Sequence, residues 1–303
     1  MFGQRLKNST FGKDKVVWKQ CFISVGFVDK ISVLTITRDR TSHLTNLLKG
    51  LAQSNLCPDE CIIVHMNEPA QSVGQWPFSC HHYAYQSSAS LPLAQARNFA
   101  AKQATGEILI FLDVDCIPAP DMIAAYQQGC NQAPASIIMG AVRYLQAAIS
   151  ADWTVPSLVQ QSQPNANRNI SNLPTLALES NYGLFWSLSF ALRRSVFVKI
   201  GGFSECYSGY GAEDTDFAWK ARKQNIPLRW MPDAVAFHQY HSSSVPPWQH
   251  FADIVGNART FYERWGEWPM AGWLSTFTQA GCLKWTVEGD SIEIIRWPIL
   301  QSA

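Results

Sequence analysis

The sequence predicts an α/β fold: a parallel sheet covered by helices, with its chemistry at the C-terminal ends of the strands. Three observations predict it. Ile31 to Thr37 and Cys61 to Met66 are β-branched apolar runs, and the leucines between them recur at the spacing of one helical face. That strand–helix–strand order implies parallel pairing, because the helix carries the chain back to the edge it started from. A third buried run, Ile108 to Leu112, ends abruptly in Asp113-Val114-Asp115.

The chain has 303 residues, 47% of them apolar and 16% charged, which suits one large domain with an appendage and excludes disorder. A formal net charge of +1 gives no electrostatic argument for a nucleic-acid partner. No apolar run approaches the roughly 18–20 residues of a membrane span, and the N-terminus lacks a signal-peptide core. The eight cysteines are scattered without a C-x-x-C pair, and Cys61 and Cys116 sit inside apolar runs. They read as reduced thiols of a cytoplasmic protein, neither a disulfide frame nor a zinc site.

Residues 1–30 are mixed and basic, a leader or an added strand, with Phe22 to Val28 as a short strand. Thr41 or Ser42 caps a helix from His43 to about Gln53, carrying Leu44, Leu47, Leu48 and Leu51 on one face. The strand from Cys61 to Met66 ends at Asn67-Glu68, and His81 to Tyr85 forms another. A helix runs from Pro92 to Thr105, with alanines for close packing, Arg97-Asn98 within it and Gly106 ending it. Ile137 to Val142 is a strand; residues 148–175, polar and aperiodic, read as a long surface loop. Leu184 to Leu192 is apolar again, followed by a helix from Ser195 to Ile200 that stops at Gly201-Gly202. Leu228 to Phe237 is a strand interrupted by Pro232, and a helix spans Trp248 to Trp265. Residues 246–303 form a helical, tryptophan-rich extension ending in a hairpin from Lys284 to Trp297. Trp265, Trp268 and Trp273 either pack on the main domain, offer an acceptor platform, or dock at the inner face of a membrane.

Two acidic clusters carry the functional reading. Asp113 and Asp115 stand two residues apart at a strand end, where alternation aims both carboxylates to one side. Hard oxygen ligands so placed suit Mg²⁺ or Mn²⁺, which could hold a diphosphate; the alternative is capping of the helix near Asp121. Thr37 to Arg40, Asn67-Glu68 and the two aspartates share the sheet edge where ligands gather in parallel sheets. The second cluster is Gly209-Tyr210-Gly211-Ala212-Glu213-Asp214-Thr215-Asp216, whose glycines imply a close backbone approach and whose acids open a helix. His238 follows a strand and is a candidate third metal ligand, with His241 as the alternative.

In this order, ISVLTITRDR, IIVHMNE, LAQARNFAAKQATGEILIFLDVDC, GLFWSLSFALRRSVFVKIGGF, GYGAEDTDFAWKA and AFHQYH resemble the GT-A glycosyltransferases. The likeness is to family 2, with a C-terminal half like that of galactosyl- and N-acetylgalactosaminyltransferases, over about residues 31–245. It implies a mixed, mostly parallel GT-A sheet flanked by helices. It also implies that Asp113, Asp115 and His238 hold Mn²⁺ or Mg²⁺ on the donor diphosphate. Thr37, Arg38 and Arg40 then contact the nucleotide, Glu68 stands near its base or ribose, Arg97 lines the donor site, and Tyr210 and Trp186 stand at the donor sugar. Asp214 becomes the base of an inverting transfer, with Glu213 beside it. The implied partners are a nucleotide-sugar donor, UDP-linked, and a carbohydrate or glycolipid acceptor. Two competing readings are a nucleotidyltransferase and a carbohydrate-binding scaffold with a decayed site. The first would carry Gly and Lys where Thr37-Arg38-Asp39-Arg40 stand; the second would have lost acids that are present.

Overall fold

Strands buried on both faces must be apolar throughout, and the first two are. β1 (Ile31–Thr37) and β2 (Glu60–Met66) are buried at every position and pair in parallel across α1 (Thr41–Ala52). The computed structural model describes residues 29–89, 91–168, 170–241 and 245–299, so the strand expected from Phe22 to Val28 lies outside it. β3 (Ser79–Tyr85) extends the parallel set at a half-exposed edge. α2 (Leu93–Gln103) leads to β4 (Ile108–Leu112), parallel to β1 on its other side. β5 (Cys116–Pro118), α3 (Met122–Gln132) and β6 (Ile137–Leu145) follow. After α4 (Val155–Gln161), β7 (Ser162–Pro164) and β8 (Ala177–Glu179), β9 (Ser189–Arg193) inserts antiparallel between β4 and β6. α5 (Arg194–Ile200) and α6 (Glu213–Lys223) precede β10 (Leu228–His238), which is parallel to β6 and antiparallel to β5. The order β3-β2-β1-β4-β9-β6-β10-β5 is therefore two parallel groups, β3-β2-β1-β4 and β6-β10, joined by antiparallel β9 and edged by antiparallel β5.

Period-two alternation divides the apolar side chains between two cores. Leu34, Ile36, Val64 and Phe111 face one side with Phe190, Phe203 and Phe217; Val33, Ile63 and Ile110 face the other with the α1 leucines. Phe111 and Phe190 are register partners and stack at 4.7 Å. The rest of the chain, α7 (Phe251–Trp265), α8 (Ala271–Gln279) and the pair β11 (Leu283–Lys284) and β12 (Glu293–Ile294), encloses its own core around Ile254, Leu274, Phe277 and Trp285.

Several local expectations are corrected. α1 starts at Thr41 without a side-chain cap, and Thr45 Oγ1 donates to the Thr41 carbonyl. α2 ends before Gly106, whose small size serves packing: a Cβ there would sit 2.7 Å from the Lys30 carbonyl. Residues 148–175 are not simply a surface loop. They hold α4, with a capping box of Thr154 and Ser157, and are anchored by buried Trp153, Leu158 and Ile170. β10 runs through Pro232 because its ladder with β6 shifts register between Met231 and Val235.

The C-terminal core is bound to α6 through Asp216, which is fully buried. Its carboxylate accepts from Ser204 Oγ, Tyr207 Oη at 3.0 Å, Arg264 Nε at 3.0 Å and Trp265 Nε1 at 2.8 Å. Asp216→Ala strands buried donors, and a loss of about 2–4 kcal/mol is expected in urea unfolding. A loss below about 0.5 kcal/mol would mean that these bonds are replaced by water at no cost.

Candidate active site

The C-terminal ends of β1 and β2 build one side of the site. Buried Thr37 closes β1, and Asp39 takes φ 54° so that its N–H reaches Glu68 Oε2 at 2.7 Å. Glu68 Oε1 lies 3.0 Å from His65 Nδ1, and His65 Nε2 lies 3.1 Å from His82 Nδ1. Glu68 is thus held from both sides. Arg38 is paired with Asp39 at 3.7 Å, and Arg40 occupies the cap position of α1.

Asp113 and Asp115 lie in a turn between β4 and β5, closed by the Cys116 N–H on the Asp113 carbonyl at 2.9 Å. Strand alternation does not extend through it, and the two carboxylates go to different partners. Asp113 Oδ1 is 3.2 Å from Arg97. Asp115 Oδ1 is 3.4 Å from His238 Nε2, and its Oδ2 is 3.5 Å from His241 Nε2. One donor atom from each of Asp115, His238 and His241 lies within 4.8 Å of the others, a spacing one cation can bridge. Asp113 stands outside that group, on the Arg97 side.

Sheet register explains the grouping. His238 pairs with Cys116 across β5 and with Tyr144 across β6, so it arrives beside Asp115 with the Tyr144 ring stacked on it at 4.8 Å. Gln239 fixes the junction: its N–H donates to the Asp115 carbonyl at 2.6 Å, and its side chain bonds Asn46 and the His43 carbonyl. Burial raises the Asp113 carboxyl despite Arg97. Burial works the same way on Asp115, but His238 and His241 outweigh it and hold that carboxyl well below the usual range.

Arg97 reaches from α2 and is 5% exposed. Its guanidinium bridges Asp113 at 3.2 Å and Glu213 at 3.0 Å, and these acids hold its charge against the effect of burial. Glu213 is thereby committed. Asp214, next in α6, is not an ion-pair partner among the described residues; its Oδ1 accepts the Thr215 N–H at 2.7 Å. Burial, then the Glu213 charge, push the Asp214 carboxyl up to about 7. That is the poise of a general base at neutral pH.

Tyr210 stacks on His250 at 4.7 Å and faces Trp273 at 6.0 Å, its hydroxyl pushed up by burial and by Glu213 and Asp214. The Arg168 guanidinium covers Trp186 at 4.5 Å. Gly209 and Gly211 take φ 73° and 98°; a Cβ would meet the Asp253 carboxylate at the first and Met270 Sδ, at 2.8 Å, at the second. The close approach their spacing implied is therefore to the C-terminal elements. Tyr144 and Arg168 escaped the sequence reading because neither falls in a motif; His65 and Gln239 lie inside IIVHMNE and AFHQYH but were given no role, because each acts by positioning a neighbour.

A family model described as glycosyltransferase like family 2 matches residues 77–263, more than half of the chain. The chain belongs to this glycosyltransferase family. The family 2-like chain is 23% identical over 225 residues to validoxylamine A glucosyltransferase of Streptomyces hygroscopicus subsp. limoneus, covering 66% of this chain and 49% of that one. The enzyme of the same name from subsp. jinggangensis (strain 5008) is 24% identical over 66% of this chain and 53% of its own. The chain thus spans about half the length of the curated relatives it matches. GalNAc-T7, solved with UDP, GalNAc and Mn²⁺, aligns with a TM-score of 0.52 at 15% identity over 78% of this chain and 50% of that one. S. aureus TarS in complex with UDP-GlcNAc aligns with a TM-score of 0.51 at 16% identity, over 77% of this chain and 66% of that one. The fold of this family member is GT-A, with the mixed, mostly parallel sheet expected. Among the described residues no helix is long and apolar enough to cross a membrane.

Proposed function

We propose that this glycosyltransferase is metal-dependent and inverting, moving a sugar from a UDP-linked donor to a hydroxyl of a carbohydrate or glycolipid acceptor. The observation that carries the reading is Asp214: a partly buried carboxyl poised near neutrality, outside the ion pairs of its neighbours among the described residues, with a cation-ligand group at the adjoining strand ends. Residues 31–245 are the catalytic unit in this reading and 246–303 brace it. Asp115, His238 and His241 hold the cation. Two imidazoles with one carboxylate favour Mn²⁺ over Mg²⁺, which prefers oxygen alone. When bound, the cation supplies charge to offset that developing on the leaving diphosphate. Thr37, Arg38, Arg40 and Glu68 receive the nucleoside, with Glu68 pre-set by His65. Arg97 pins Glu213 and Asp113, leaving Asp214 to take the acceptor proton as the hydroxyl attacks from the face opposite the diphosphate. A single displacement of that kind inverts the anomeric carbon. UDP is favoured as carrier because it is the nucleotide named in the GalNAc-T7 and TarS complexes.

The test is UDP binding by calorimetry with and without Mn²⁺, followed by slow hydrolysis of a panel of UDP- and GDP-sugars. Mn²⁺-dependent UDP binding with hydrolysis of at least one donor is expected. No binding at millimolar UDP would overturn the reading, and binding without any hydrolysis would favour an inactive carbohydrate-binding scaffold.

A further inference from the structure

The stretch after α4 returns an arginine to the interior beside the cleft. β7 pairs with the end of β6, and the short turn Ala166–Arg168 leaves Arg168 only 9% exposed. Its guanidinium lies between two indoles, 4.5 Å from the Trp186 centroid and 4.9 Å from that of Trp230. Its Nε is buried and has no hydrogen-bond partner among the described residues. The arginine ion pairs among the described residues belong to Arg38, Arg97, Arg193, Arg222 and Arg264, not to Arg168. Asp214 and Glu179 are close enough for their charges to be felt, but neither forms an ion pair with Arg168 among the described residues, and Glu179 is engaged by Trp230 Nε1 at 2.9 Å and the Asn181 N–H at 2.7 Å.

A buried guanidinium without a counter-ion is costly, and two indole faces recover only part of that cost. Such a residue points to a ligand that supplies the missing charge. Its surroundings say where the ligand lies. Trp186 precedes Ser187, whose backbone N–H favours the charged form of the Asp214 carboxyl, and Leu188, whose carbonyl takes the Asp113 N–H at 2.9 Å. Trp230 lies on β10, which ends at His238, and Tyr144, stacked on His238, also acts on the guanidinium. Arg168 therefore lies within electrostatic reach of Asp214 and of Tyr144, whose ring stacks on the cation-ligand candidate His238.

We propose that Arg168 is an anion-binding residue of the cleft, whose guanidinium receives a phosphate or carboxylate oxygen of a bound substrate. The guanidinium fork suits such oxygens better than any neutral group. The oxygen comes either from the donor diphosphate or from an anionic group on the acceptor. The inference rests on the reading of this cleft as a donor and acceptor site.

The experiment compares the parent with Arg168→Met and Arg168→Lys by titration of Mn²⁺-UDP, pyrophosphate and glycerol phosphate, and by thermal unfolding without ligand. Arg168→Met should bind at least one anion about tenfold or more weakly, with Arg168→Lys intermediate. Its Tm should equal or exceed the parent's, because an unpaired buried charge has been removed. Weakened UDP and pyrophosphate together assign the donor diphosphate; weakening confined to glycerol phosphate assigns the acceptor. Unchanged binding of all three, or a Tm lower by about 4 °C or more, overturns the proposal in favour of a structural role. A parent that binds no Mn²⁺-UDP would defeat the UDP-donor reading instead, while glycerol phosphate and Tm still judge Arg168.

Discussion

Asp214→Asn is expected to slow sugar transfer by about 10³-fold while leaving Mn²⁺-UDP affinity within about twofold of the parent. Asn keeps the shape and an acceptor oxygen for the Thr215 N–H, but cannot accept a proton. Glu213 cannot stand in, because Arg97 holds it at 3.0 Å. The pH profile supplies an independent check. With the Asp214 carboxyl at about 7, the ionised fraction rises through neutrality. In the parent, kcat/KM should therefore climb about tenfold per pH unit below about pH 7 and level off above it. Stability carries the opposite sign. Between about pH 4 and about pH 7 the folded chain keeps a proton that the unfolded chain has released, so stability falls as pH rises through that window, by a few kcal/mol in order of magnitude. Asp214→Asn should remove that slope. Full activity in the Asn variant, or an acid limb near pH 4, would take the base assignment away from Asp214.

Chelation should abolish both UDP binding and turnover, and Mn²⁺ should restore both better than Mg²⁺. The reason lies in the donor set: Asp115 alone is a weak single ligand, whereas His238 and His241 add two imidazoles within 4.8 Å. His238→Ala and His241→Ala should each weaken Mn²⁺ binding by about 10²-fold or more, read from the paramagnetic resonance of free Mn²⁺. His238 is further held by the Tyr144 ring, so removing that ring should give a smaller loss. Activity that survives exhaustive chelation, or Mn²⁺ affinity unchanged in both histidine variants, would end the metal assignment.

Much of this architecture was legible in the chain. Buried β-branched runs at Ile31 to Thr37 and Ile108 to Leu112 left few alternatives to parallel strands, because the pattern and the connection length both act locally. The ends of those strands located the polar clusters for the same reason. Local signals failed where a tertiary contact overrode them. Gly106 read as a helix stop but makes room for Lys30, and residues 148–175 read as a loop although Trp153 and Leu158 anchor them. Pro232 read as a break, yet a bulge against β6 absorbs it.

The site shows the same division. Which residues could do chemistry, among them Asp113, Asp115, Glu213, Asp214 and His238, was written in the order of residue types along the chain. Which carboxylate each positive group would take was not. Arg97 meets Glu213 across 116 positions of sequence, and that meeting leaves Asp214 without an ion pair among the described residues. Spacing describes neighbours along a backbone, whereas charge pairing depends on distance in three dimensions, and only the packing of α2 and α6 over the sheet sets it.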